Sequence, residues 1–147
     1  MNSDLCIAVH ALVYLDHMAR PLSSAELADN ICTNPARIRK VMSRLRQAGL
    51  IETREGRAGG YAVKDDIRKT DIKCIALSLE QPMFELSWHS GDMDKECLVS
   101  SGMGSVMDEI ADGLNEACLK ELSAITISDV EEKLFGKKNK EKSYEKV

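Results

Sequence analysis

Residues 33–60 read TNPARIRKVMSRLRQAGLIETREGRAGG, and their order decides the fold. Asn34 is a favoured helix cap, and Pro35 suits the first helical position. Ile38, Val41, Met42 and Leu45 recur at helical spacing and make one apolar stripe. Arg37, Arg39, Lys40, Arg44 and Arg46 lie largely off that stripe. Gly49 supplies a left-handed stop. Leu50 to Arg54 suits a strand, Gly56, Gly59 and Gly60 permit a sharp reversal, and Tyr61 to Val63 returns as a second strand. Helix, stop, strand, glycine-rich tip and strand predict the recognition helix and wing of a winged helix-turn-helix.

Charge points the same way. Segment 34–60 holds seven basic residues and two acidic ones, a net of +5, whereas the whole chain carries −4. Basic side chains gathered on one face neutralise phosphates and release counterions, so the pattern implies double-stranded DNA as partner despite the acidic total.

Working outward, residues 3–19 predict a first helix with a wide apolar face, closed by Arg20-Pro21. Ser23 with Glu26 three residues on is a capping box that opens a short second helix. Thr70-Asp71 starts a helix to about Glu80, and Gln81-Pro82 breaks it. Residues 83–100 read as a short strand or loop. Met103, Val106, Met107, Ile110, Leu114, Cys118 and Leu122 then recur at three and four. So long a stripe beyond a compact head has no obvious intrachain cover, which predicts a homodimerisation helix. Packing on the chain's own first helix is the alternative. A last helix is expected from Thr126 to Phe135, ended by Gly136, before a Lys/Glu tail at 137–147 read as disordered.

The fold class is therefore mainly α with a small β wing: a winged helix-turn-helix plus a long C-terminal dimerisation helix. Residues 1–66 form the DNA-binding domain, with the wing at about 50–63. Residues 67–136 carry the linker helix, a sensor-like segment and the dimerisation helix. No apolar run approaches the roughly 18 residues of a membrane span, and no signal peptide is evident, so a cytoplasmic protein without membrane contact is expected. Five cysteines at wide spacing, without a C-x-x-C pair, argue against a disulfide framework or zinc site. Cys6, Cys32, Cys74 and Cys118 are expected to be small buried apolar residues. No Ser/His/Asp, Cys/His or paired-carboxylate constellation and no phosphate loop is present, so an enzyme is not expected.

These motifs resemble the Rrf2 family of bacterial winged-helix repressors. The resemblance is carried by Ala8-Val9-His10-Ala11-Leu12, by Ser-Ser-x-Glu-Leu-Ala at 23–28, by Arg44-Leu45-Arg46-x-Ala48-Gly49-Leu50-Ile51, and by Gly56-Arg57-x-Gly59-Gly60-Tyr61. It implies a dimer with crossed long helices, reading a palindromic operator with helix 34–48 and wing 56–60. It further implies that Asn34, Ala36, Arg37, Arg39 and Lys40 face bases. Arg37 or Lys40 is then placed to reach guanine O6 and N7. Wing Arg57, beside Gly59 and Gly60, is placed to enter the minor groove. Ser23, Ser24 and Arg44 suit phosphate contacts.

The chain departs from iron–sulfur members of that family, which hold a cluster with three neighbouring cysteines before the long helix. Here that stretch has Cys97 alone, with Gly91 and Met103 at the flanking positions. No cofactor is expected, and an iron–sulfur cluster is unlike this donor set. Two sensing routes are open. Cys97 beside Lys95 suits a redox-responsive thiol, with Cys6 as a second redox candidate. Met83, Phe84, Trp88 and His89 suit a small-molecule pocket, though such a cluster is more often core. An alternative class is a protein-interaction module whose winged-helix dimer docks a partner enzyme.

Overall fold

The computed structural model describes residues 2–144, and the side chains of residues 2–136. The chain runs α1 (Ser3–Met18), α2 (Ser24–Ile31), α3 (Pro35–Gln47), β1 (Ile51–Arg54), β2 (Gly60–Val63), a 3-10 turn (Ile67–Lys69), α4 (Ile72–Ser78), α5 (Leu98–Leu122) and α6 (Ile127–Tyr144). The two strands pair antiparallel from Ile51 opposite Val63 to Arg54 opposite Gly60.

Local chemistry sets these boundaries. Asn2 caps α1 by accepting from the Asp4 N–H. The expected box opens α2: Ser23 Oγ accepts the Glu26 N–H, and Glu26 Oε2 accepts the Ser23 N–H. Asn34 Oδ1 accepts the Arg37 N–H at the start of α3, with Pro35 in the first turn. Gly49 takes φ +75° as the predicted left-handed stop.

The core is built from one face each of the first three helices and α4. Leu12, Leu27, Ile38, Leu45, Ile51 and Ile75 are among its buried side chains. Ile127 at the start of α6 closes it. The return from α5 is stitched to the head by backbone hydrogen bonds, Ile72 N–H to Ile125 O and Ile127 N–H to Thr70 O.

Three expectations change. The linker helix is shorter than 70–80, because Asp71 caps it and Glu80 turns left-handed at φ 53°. α5 starts three residues before Ser101, at Leu98, with Cys97 at its cap. Gly136 does not end the last helix: α6 continues to Tyr144, across most of the tail expected to be disordered. A single glycine inside a helix costs only about 1 kcal/mol relative to Ala, and the Lys and Glu that follow favour helix. Residues 145–147 of that tail lie outside the described residues.

The cysteines also differ from expectation. Cys6, Cys32 and Cys74 are exposed and Cys118 is half-buried, because each sits on the outer side of its helix or at a helix end.

Candidate nucleic-acid interface

Three pieces meet on one side of the head: the start of α3, the start of α2 and the root of the wing. Arg39 on α3 donates to Ser24 Oγ on α2 at 3.4 Å. Leu22, just before α2, exchanges both backbone hydrogen bonds with Tyr61 on β2, at 3.0 and 2.8 Å. The wing is thus anchored beside the second helix, and the recognition helix lies against the same helix.

That anchoring explains the paired glycines. Gly60 sits at φ +141°, and a Cβ there would fall 2.4 Å from the Leu22 carbonyl oxygen. A Cβ on Gly59 would fall 2.3 Å from the Arg54 carbonyl oxygen. Both glycines are half-buried, and close backbone approach requires glycine at each. Arg57 stands exposed at the tip between them and Gly56.

On α3, Asn34, Ala36, Arg39 and Lys40 are exposed. Arg37 is different. Its Nε and Nη2 donate to Asp4 Oδ1 at 3.2 and 2.9 Å, and Nη2 also donates to Ser3 Oγ. Lys40 Nζ lies 3.9 Å from Asp4 Oδ2. The guanidinium expected to read guanine is folded back onto the first turn of α1. Asp4 itself is buried and was not singled out by sequence, because it lies 33 residues from its partner. Its only sequence signal is an acidic residue in the first turn of α1.

The phosphate candidates divide similarly. Ser23 Oγ is occupied as the α2 cap acceptor, which leaves its hydroxyl proton to donate. Ser24 accepts from Arg39. Arg44 is half-buried and its Nη1 is enclosed without a hydrogen-bond partner, so less of it reaches solvent than expected.

The sensor-like segment does not assemble as one aromatic pocket or as core. Phe84 is 44% exposed and Trp88 75% exposed. Met83 lines a small apolar cleft of about 200 Å³ with Pro82 and Leu119. His89 turns to α5, where its ring Nε2 meets Asp108 Oδ1 at 2.6 Å beside a separate cleft of about 420 Å³. The other histidines are surface groups: His10 pairs with Asn30, and His17 stacks on Phe135.

Cys97 is exposed at the α5 cap. The backbone N–H groups of Ser100 and Val99 hold its thiol below the ordinary value. Lys95 is not among the causes of that shift, which come from N–H groups in the first turn of α5, with desolvation opposing. Cys6 is exposed on α1 and borders an apolar groove of about 510 Å³ between α1, the end of α5 and α6.

The apolar stripe of α5, expected to serve dimerisation, lies open in the single chain. No residue of α5 is fully buried. Met103, Val106, Met107, Ile110 and Leu114 are between 37% and 51% exposed. Cys118 is half-buried, and only Leu122 of the stripe packs against the head core. Packing on α1 therefore does not cover the stripe.

Similarity to known proteins is consistent along the chain. The profile of Rrf2, described as an iron-dependent transcriptional regulator, matches residues 1–133. A Bacillus subtilis protein, YwnA, described as an HTH-type transcriptional regulator, is 29% identical over 92% of this chain and 99% of its own. Among solved structures, a transcriptional regulator from Lactobacillus plantarum superposes with a TM-score of 0.76 at 21% identity, covering 91% of both chains. IscR of T. potens gives 0.65 at 18% identity, over 91% of this chain and 87% of that one. The global cysteine regulator CymR of B. subtilis gives 0.61 at 20% identity, over 88% and 94%. At these identities the structural likeness establishes the fold.

An iron-dependent family raises the question of metal donors. Among the described residues no three His, Cys, Asp or Glu side chains gather closely enough to hold one ion. Cys97 is the sole thiol in its segment, and His89 is already paired with Asp108. This donor set does not fit an iron–sulfur cluster within one chain.

Proposed function

The chain belongs to the Rrf2 family of DNA-binding transcriptional regulators, which are not enzymes, and from that premise we propose a cluster-free, dimeric repressor of the cytoplasm that reads a palindromic operator. The observation that carries the dimer is α5: a 25-residue helix whose apolar stripe from Met103 to Leu114 is left open by the described residues of its own chain. A second copy of α5 supplies the matching surface, and two heads then read half-sites about one DNA turn apart.

In this reading, α3 enters the major groove with Asn34, Ala36, Arg39 and Lys40 foremost, Arg57 follows the minor groove, and Ser23 and Ser24 hold phosphate. Cys97 is the sensing element: peroxide converts its thiolate to sulfenic acid at the start of the dimerisation helix. The support is its exposure and its lowered pKa.

The test is binding of the purified protein to its own promoter region against scrambled DNA at ~150 mM salt, because phosphate contacts make lower salt misleading. It is run reduced and after mild peroxide, with sedimentation of the free protein alongside. The expected result is a dimer that binds tightly when reduced, releases on oxidation, and stays bound as Cys97→Ser. Tight binding indifferent to peroxide would overturn the thiol signal and point to a metabolite or partner protein. A monomer without preference over scrambled DNA would overturn the operator reading and favour a protein-docking module.

A further inference from the structure

We propose that Asp4 is a specificity-determining residue: it occupies the edge of Arg37 suited to guanine and confines Arg37 to a single-point contact on DNA. The inference rests on the DNA-binding reading above. A guanidinium carries five N–H donors in a rigid fork. The Nε hydrogen goes to Asp4 Oδ1, and the two Nη2 hydrogens go to Asp4 Oδ1 and Ser3 Oγ. The donors that remain are both on Nη1. Bidentate recognition of O6 and N7 needs parallel N–H groups from two nitrogens of the fork. Each edge of the Arg37 fork that could supply such a pair includes Nη2, and Nη2 is spent.

Asp4 is well placed to hold that edge. Its carboxyl is only 10% exposed, whereas the Arg37 side chain is 40% exposed. Its backbone N–H is held by the Asn2 cap at 2.9 Å, and Asn2 in turn donates to Gln81 Oε1 at 2.8 Å. The carboxylate is thus fixed at the start of α1 before DNA arrives. Asp4 also lies 3.9 Å from Lys40, so one buried anion offsets part of the charge of two cations on the recognition helix. Sequence discrimination then falls to Asn34, Ala36, Arg39 and Lys40, and Arg37 is left one nitrogen for a phosphate.

Four full-length proteins test this: the natural chain, Asp4→Asn, Arg37→Ala and the double variant. Each selects from a duplex library in which the protein's own promoter region is randomised, and thermal unfolding is followed in parallel. Asp4→Asn is expected to gain a guanine preference of about tenfold at one position per half-site. Its affinity for nonspecific DNA is expected to rise, with a salt dependence steeper by about 0.9, the slope of one added phosphate contact. The double variant is expected to lose that gain, and Arg37→Ala alone is expected to select the same sequence as the natural chain.

A natural chain whose guanine preference disappears in Arg37→Ala would overturn the inference, because Arg37 then reads a base in spite of Asp4. A folded Asp4→Asn protein that selects an unchanged sequence would also overturn it. If Asp4→Asn does not fold, Arg37→Ala in the natural background decides: unchanged selection supports the inference and altered selection sinks it. A natural chain that selects no sequence at all fails the DNA-binding reading itself and takes the inference with it. The inference fails alone when the natural chain selects a sequence and Asp4→Asn selects the same one.

Discussion

The head buries its apolar side chains within one chain, whereas α5 buries none of its own. Both use helical apolar spacing. The difference is what faces the stripe. In the head, the stripes of α1, α2, α3 and α4 converge on one another, and Ala8, Ala11 and Ala28 let the helices approach closely. α5 leaves the head beyond its last turns, and its stripe meets solvent. The comparison teaches that an amphipathic pattern specifies burial but not the identity of the partner.

The largest expected contrast comes from one substitution in each region. Leu45→Ala removes a fully buried side chain and is expected to cost roughly 2–5 kcal/mol in a urea titration. Ile110→Asp is expected to leave the head folded by circular dichroism while sedimentation shows a monomer. A Leu45→Ala protein of unchanged stability, or an Ile110→Asp protein with an unfolded head, would break the comparison.

Next in size is the wing. Gly60→Ala forces a Cβ against the Leu22 carbonyl at a positive φ, and it is expected to cost about 1–3 kcal/mol and to weaken promoter binding. Gly56→Ala, at φ +100° with open space around it, meets no such clash and is expected to cost less. Paired melting curves and binding titrations would show whether the wing belongs energetically to the head.

The seam between the two regions gives a smaller effect. Glu131 on α6 is buried, and its Oε1 lacks a hydrogen-bond partner. Its Oε2 lies 3.3 Å from Arg68, which is held at 2.7 Å by Asp16. Burial, and then the neighbouring Asp16, push the Glu131 carboxyl above its ordinary value of 4.5, with Arg68 opposing. A folded-state pKa above the unfolded one means that ionised Glu131 works against folding. Its contribution is therefore full below the unfolded value and is lost as pH rises through the raised folded value. Glu131→Gln is expected to be more stable than the natural chain at pH 7, and that advantage should shrink as pH falls through the raised folded value and be gone below 4.5. An advantage independent of pH would indicate packing rather than ionisation.

The smallest effect concerns α5's first turn. Cys97 is expected to alkylate faster than Cys6 or Cys74 at neutral pH, and the difference should narrow as pH rises toward ordinary thiol values. Peptide mapping after a brief iodoacetamide pulse would measure it. Equal rates would remove the helix-start argument for sensing.

Much of the head was legible because its signals are local. Caps at Ser23 and Asn34, the stop at Gly49 and the strand–glycine–strand order each depend on residues a few positions apart, and the structure places those elements within a residue or two. The site was legible in part. Asn34, Ala36, Arg39, Lys40 and Arg57 are exposed as expected, but Arg37 and Arg44 are drawn inward by contacts that no local spacing encodes.

The sequence by itself therefore determined the periodic and the local: four amphipathic helices, a two-stranded wing, a concentrated positive charge and a long apolar stripe. Only the tertiary structure decided which polar groups distant in sequence meet. Asp4 and Arg37 are 33 residues apart, and Arg68 and Asp16 are 52 apart. Their pairing depends on how helices cross, which is set by core packing rather than by charge pattern. Packing also makes Gly59 and Gly60 steric necessities, because the Arg54 and Leu22 carbonyls occupy the space a side chain would need.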